Sequence, residues 1–355
     1  MINASKLNVA CALVAWLVAA QFVWAEVERK DFSLDSEPGV SLFVREVKSS
    51  RGEASAKAIR PILLIHGARV PGVASFDLDV PGGSLAGDLA GRGFTVYVMD
   101  VRGYGCSSRP AAMEEPSEKN APLVRSDEAV RDIGAVVDWI HKRTGEKPAL
   151  FGWATGGFWA GYYAALRSDS IRALVTLNTL YGGSDKHAML GHGTDLEDPK
   201  HAGRLNPTVG AYRWNSAESL FGVWDRSIPE NDKSVARDPR VAKAYEAAAL
   251  TSDPESGSRR PPAFRSPNGC LEDSFYVAVG RKLWDASLIR VPTLVIASER
   301  DFWSRPEDRA TLEAELVHAP LVKVVVIPGA THFVHLERAK RGREQLIQKI
   351  ADFAN

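Results

Sequence analysis

Past Glu26 the chain alternates between short apolar runs and longer segments of helical periodicity. LFVREV at 42–47 alternates apolar and polar positions as a half-buried strand does. PILLIHG at 61–67 is a continuous apolar run ending in glycine, the pattern of a parallel strand covered on both faces. Residues 84–92 suit a short helix, and FTVYVMD at 94–100 reads as the next strand. Between Asp127 and His141 the apolar residues Val130, Ile133, Val137 and Ile140 recur at the spacing of one helix face, with Gly145 and Pro148 beyond the end. PALFGW then reads as a strand and Thr155 to Arg167 as a helix, so Ala154 falls on the turn between them.

This order predicts a mostly parallel sheet with helices on both faces. It stops after IRALVTLNT at 171–179. Residues 184–285 are polar, rich in Pro, Gly and Asp, with helical patches such as VARDPRVAKAYEAAA and several tryptophans. A structureless loop of that length is improbable inside a compact domain, so an inserted, partly helical cap is expected. The alternation resumes with PTLVIAS at 292–298, a helix over about 306–319, LVKVVVI at 321–327, and a last helix that turns Leu346, Ile347, Ile350 and Phe353 inward. The expected organisation is therefore a core over 26–183 and 286–355, interrupted by a cap over 184–285.

Composition narrows the partners. The chain has 355 residues, 45% of them hydrophobic, with 44 Lys plus Arg against 44 Asp plus Glu. Without a basic field there is nothing to attract nucleic acid or anionic lipid, and the expected partner is a small molecule, uncharged and partly hydrophobic. The apolar stretch VACALVAWLVAA, Val9 to Ala20, follows Lys6 and precedes Val23 and Ala25 at the positions a signal peptidase reads. A signal peptide over 1–25, cleavage after Ala25 and export to the periplasm or medium are expected, because this stretch is shorter than the roughly 20 residues of a stable membrane span. Cleavage removes Cys11 and leaves Cys106 and Cys270, whose pairing the sequence leaves open.

The turn at Ala154 carries the chemistry. GWATGG at 152–157 has the form of a nucleophile elbow, G-x-S-x-G, with alanine in the reactive position. IHGA at 65–68, MDVRGYGCS at 99–107, SERD ending at Asp301 and GATH ending at His332 accompany it in order. Together these motifs resemble the α/β-hydrolase superfamily, esterase- and lipase-like, over nearly all of the chain after residue 25. The resemblance implies that His332 is the general base and Asp301 the acid that orients it. It also implies an oxyanion hole of the Ala68 and Thr155 backbone N–H groups, and a nucleophile position at Ala154. His335 and Glu299 are the rival base and acid. His66 and Arg102 sit in turn motifs whose roles the resemblance makes structural.

Trp153, Trp303, Arg69, Trp214 and Trp224 are the candidates for the substrate pocket, Trp214 and Trp224 equally readable as cap core. Phe158, Trp159, Tyr162 and Tyr163 read as packing of the helix after the elbow. Asp77 and Asp79 either line the pocket mouth or cap the helix that follows, capping being simpler. His187, His192 and His201 lack metal-ligand spacing, so no metal and no cofactor are expected. Three readings of Ala154 stay open. It marks an ester hydrolase whose serine was deliberately changed to alanine to inactivate it, or a natural enzyme in which His332 and Asp301 act on water or a substrate proton, as in lyase or cofactor-free oxygenase chemistry. The third is a non-catalytic binder.

Overall fold

Strands and helices alternate along almost the whole chain in a computed structural model, which describes residues 27–50 and 59–355. The strands are β1 (Val27–Glu37), β2 (Val40–Ser49), β3 (Pro61–Ile65), β4 (Thr95–Met99), β5 (Ala149–Trp153), β6 (Ala173–Leu177), β7 (Tyr212–Ser216), β8 (Ala263–Pro267), β9 (Thr293–Arg300) and β10 (Val322–Thr331). Eight of them form one sheet in the order β1-β2-β4-β3-β5-β6-β9-β10. All pairings from β4 to β10 are parallel, and only β1 with β2 and β2 with β4 are antiparallel. Residues 1–25, expected to be a signal peptide, with Cys11 and the expected cleavage position near Ala25, lie outside the described residues.

The helices are α1 (Gly72–Phe76), α2 (Leu85–Gly91), α3 (Ser126–Thr144), α4 (Thr155–Arg167), α5 (Gly222–Ser227), α6 (Pro239–Thr251), α7 (Gly269–Ala278), α8 (Pro306–Glu315) and α9 (Arg343–Phe353). They cover both faces of the sheet, which is why β3 is apolar without interruption. Ile62 and Leu64 pack to one side with Leu85, Leu89, Leu346 and Ile350 of α2 and α9. Leu63 and Ile65 pack to the other with Ile133, Val137 and Trp159 of α3 and α4. The two-residue period of a strand thus serves two cores at once. α3 ends where expected, with Gly145 at φ 76° in the left-handed conformation. Arg102, expected to be structural, is buried against Asp132, with Nη2 2.6 Å from Oδ1, and reaches Glu37 at 2.7 Å.

Two elements depart from the sequence reading. β1 was not anticipated, because VERKDFSLDSE alternates between half-buried and exposed positions at the sheet edge and contains no apolar run. Residues 184–285, expected to be partly helical, carry α5, α6 and α7 but also the antiparallel pair of β7 and β8. YRWNS and AFRSP are too short and too polar to announce strands. Cys106 is exposed and Cys270 buried, and both are free. Among the described residues no helix is long and apolar enough to cross a membrane.

The junction of β5, the elbow and α4 is the tightest approach near the candidate site. A Cβ added at Gly156 would overlap the carbonyl oxygens of Ile65 and His66, and one at Gly152 would overlap the Gly156 carbonyl. These obstacles are backbone and cannot swing aside. Gly156→Ala is therefore expected to cost about 3 kcal/mol or more, read as a lower denaturant midpoint at unchanged m-value. A loss below about 1 kcal/mol would contradict this packing.

Candidate active site

Ala154 sits at φ 53° and ψ −118°, a conformation that L-residues rarely adopt. Its N–H donates to the Leu177 carbonyl at 2.8 Å, and its own carbonyl accepts from the Gly157 and Phe158 N–H groups at 3.0 and 3.2 Å. The strain costs about 1–3 kcal/mol and persists because these bonds and the flanking glycines hold it. The effect is to lift the side chain of residue 154 off the carboxyl end of β5. Ala68 follows β3, Asp301 follows β9 and His332 follows β10, so the elements deliver all four positions to one edge of the sheet, where open parallel sheets place their ligand sites.

His332 and Asp301 form a fixed pair. The ring Nδ1 lies 2.5 Å from Asp301 Oδ1, and both side chains are almost wholly buried. Oδ1 also accepts from the Trp303 N–H at 3.1 Å, while Oδ2 accepts from the Ser304 N–H at 2.8 Å and its hydroxyl at 2.5 Å. A carboxylate so filled with donors is held in one orientation. The His332 carbonyl is anchored in turn by Trp153 Nε1 at 3.0 Å and Asn178 Nδ2 at 3.3 Å. Asn178, itself at φ 54°, was not singled out in the sequence. With Nδ1 donating to the carboxylate, Nε2 is the basic nitrogen, and among the described residues it has no partner.

The Ala68 and Thr155 N–H groups donate to no protein acceptor among the described residues. The peptide joining Gly67 to Ala68 is held from behind, since the Gly67 carbonyl accepts from His66 Nδ1 at 2.7 Å. His66 Nε2 accepts from the Val101 N–H at 3.1 Å, which leaves the ring neutral, and burial pushes its pKa down to about 4. On the next peptide the Ala68 carbonyl accepts from the Tyr104 hydroxyl at 3.0 Å and from Arg213 Nη2 at 2.9 Å.

A cavity of about 260 Å³ brings together Ala154, Thr155, Ala68, His332, Trp153, Trp303 and Arg69. Trp214 and Trp224 do not line it. Trp214 faces a separate surface depression, under the Arg259 guanidinium at 4.2 Å from its ring. Trp224 is core, stacked on Phe333 at 4.6 Å and donating Nε1 to Glu337 at 3.0 Å. The rivals are elsewhere too. Glu299 is exposed and accepts from the Gly329 N–H at 2.6 Å. His335 is caged by Trp153 and Phe76, at centroid distances of 4.3 and 5.6 Å, with neither ring nitrogen partnered among the described residues. Asp77 neither lines the cavity nor caps directly. It receives Arg29 Nε at 2.9 Å and the Ser84 hydroxyl at 2.7 Å, and Ser84 is the residue that caps α2. Asp79 is exposed and away from the cavity.

The sequence reading missed Arg213, Tyr245 and Phe302, which also line the cavity. Only recognition of β7 would have flagged Arg213, because strand alternation then sets it on the face opposite Trp214. The cap histidines are engaged singly: His187 Nε2 with the Trp303 carbonyl at 2.9 Å, His192 with Glu197 at 2.6 Å, His201 with Asp198 at 2.8 Å. Among the described residues no group of three or more His, Cys, Asp or Glu could hold a metal ion.

Comparison with known proteins adds the following. A family model described as alpha/beta hydrolase fold matches residues 60–339. Human "Lipase member N" is 24% identical over 153 residues, which are 43% of this chain and 38% of the lipase. Among solved structures, a serine-to-alanine mutant of the meta-cleavage product hydrolase from Pseudomonas fluorescens, complexed with acetates, superposes with a TM-score of 0.58 at 17% identity, covering 91% of this chain and 96% of that one. An epoxide hydrolase from Vigna radiata gives 0.55 at 17% identity, over 92% and 97% of the two chains. At these identities the structural likeness is one of fold.

The caged histidine carries a pH consequence. Burial, with His332 and Arg343 nearby, holds His335 well below the ordinary histidine value, and burial does the same to His66. As pH falls below about 6.5, the unfolded chain takes up protons that the native state refuses, so native stability is lost on acidification toward 4. His335→Phe removes one contribution and two unpartnered buried nitrogens. Melting temperature is expected to rise relative to the parent by more at pH 5 than at pH 7.5. An equal difference at both pH values would show that His335 is not a neutral buried ring.

Proposed function

The chain belongs to the alpha/beta hydrolase fold family, and from that premise we propose that its Ala154 cavity is an ester-hydrolase site acting on small molecules with an apolar portion. The observation that carries the proposal is the His332–Asp301 hydrogen bond of 2.5 Å, beside a cavity lined by Ala68 and Thr155. Acyl transfer needs a base, an orienting acid and two donors for the oxyanion, and each has a residue here. What is lacking is the nucleophilic oxygen. Loss of a triad serine costs on the order of 10⁶ in turnover, about 8 kcal/mol of barrier. Likeness to a human lipase and to hydrolases of several chemistries supports hydrolysis as the reaction type. The apolar stretch Val9 to Ala20 ahead of Ala25 supports export as its place of work.

A second reading is favoured by one specific observation: the dyad is intact although Ala154 offers it nothing to activate. His332 Nε2 would then take a proton from a bound water as its oxygen attacks the ester carbonyl. The oxyanion would form at the two N–H groups, and the proton would pass to the leaving alkoxide as the C–O bond breaks. A pure binder has no use for the base.

Nitrophenyl-acetate hydrolysis by the parent and by Ala154→Ser, each with and without His332→Ala, separates the readings. Serine is expected to raise the rate by about 10³ or more, and the gain is expected to vanish with His332. A slow parental rate that also falls with His332→Ala would identify the water route. No gain on adding serine, together with no His332-dependent rate in the parent, would overturn the ester-hydrolase assignment.

A further inference from the structure

Arg69 and Arg213 both line the Ala154 cavity, and no Asp or Glu side chain does. Neither has a carboxylate partner among the described residues, in contrast to Arg102, Arg125, Arg265 and Arg305, each of which has one. Their hydrogen bonds go to neutral acceptors. Arg69 Nε donates to Asn215 Oδ1 and Nη1 to the Ser219 carbonyl, both at 2.9 Å. Arg213 donates to the Pro267 carbonyl and Asn268 Oδ1, both at 3.0 Å, and to the Ala68 carbonyl at 2.9 Å. Arg69 Nη2 has no acceptor among the described residues. Tyr245, 1% exposed, lines the same wall, and its hydroxyl also has no partner among the described residues.

Two partly buried cations without a counter-charge are costly unless something compensates them. Burial and the neighbouring Arg213 lower the Arg69 pKa, and the Arg69 charge acts on the Tyr245 phenol. The protein therefore holds donors and positive charge in an otherwise apolar cavity, with no compensating carboxylate among the described residues that line it. Arg69 Nη2 and the Tyr245 hydroxyl are two donors on this one cavity, as many as the two oxygens of a carboxylate can accept.

We infer that the substrate carries a carboxylate, bound by Arg69 and Tyr245 in the field of Arg213, while its reactive carbonyl addresses the Ala68 and Thr155 N–H groups. This rests on the ester-site reading above and modifies the expectation of an uncharged partner. Because Arg69 follows Ala68 directly and Arg213 holds the Ala68 carbonyl, the carboxylate lies within a side chain's reach of the reacting carbonyl. The substrate class is then the half-ester of a short dicarboxylic acid or an equivalent acyl acid.

Calorimetric titration of the unmodified protein with monomethyl adipate and with its neutral counterpart methyl hexanoate tests this. The acid is expected to bind about tenfold or more tightly, as a charge-assisted hydrogen bond warrants. Arg69→Gln is expected to reduce the ratio below about threefold, and Arg69→Lys to retain part of it. Equal affinity of the two ligands, or a ratio that survives Arg69→Gln, overturns the carboxylate assignment while leaving an ester pocket. Binding of neither ligand overturns both. Should Arg69→Gln not fold, the ratio measured on the unmodified protein decides alone.

Discussion

The backbone of residue 154 can occupy a positive φ only because the β5–α4 junction is built of glycine on either side of it. Gly152 and Gly156 let the start of α4 touch the ends of β3 and β5, and any side chain there meets main-chain oxygen. Everything else about the site follows from that close approach. It aims residue 154 into the cavity, leaves the Thr155 N–H without an intrahelical acceptor, and brings the Gly67–Ala68 peptide alongside. A serine is compatible with the same conformation, and so is an alanine. The strain is maintained here without the oxygen it would ordinarily present.

Polar satisfaction explains how the rest of the site stays ordered. The Asp301 carboxylate takes donors from His332, Trp303 and Ser304, and the His332 carbonyl takes two more from Trp153 and Asn178. His66 fixes the peptide that carries the Ala68 N–H, and Arg213 and Tyr104 fix the peptide after it. None of these bonds needs residue 154 to be reactive, so the frame survives its loss. Against this background of filled hydrogen bonds, the open donors on the cavity wall stand out as places for a ligand rather than for the protein.

Much of this was legible in the sequence, for identifiable reasons. Parallel strands buried on both faces declare themselves as runs such as PILLI, and turns that demand glycine or a reactive residue leave short motifs such as GWATGG and GATH. That is why Ala154, Asp301, His332, Ala68 and Thr155 stand out in the sequence by their motifs alone. β1 was invisible because an exposed edge strand needs no apolar run. Trp214 and Trp224 stayed open between pocket and cap core because an aromatic side chain in a cap looks alike whether it faces ligand, solvent or core. Arg213 and Tyr245 reach the cavity only through the folding of residues 184–285, whose local pattern does not encode the long-range contact.

The central claim is that this cavity is an acyl-transfer site complete but for one oxygen. The direct test is a crystal structure of the unmodified protein with an intact ester bound, which the absence of serine should allow. The account predicts the ester carbonyl oxygen within hydrogen-bond distance of both the Ala68 and Thr155 nitrogens, the carbonyl carbon over the Ala154 Cβ, and His332 Nε2 facing it while Nδ1 stays on Asp301. An ester seated with its carbonyl away from those two nitrogens, or His332 turned off Asp301 in the complex, would contradict it.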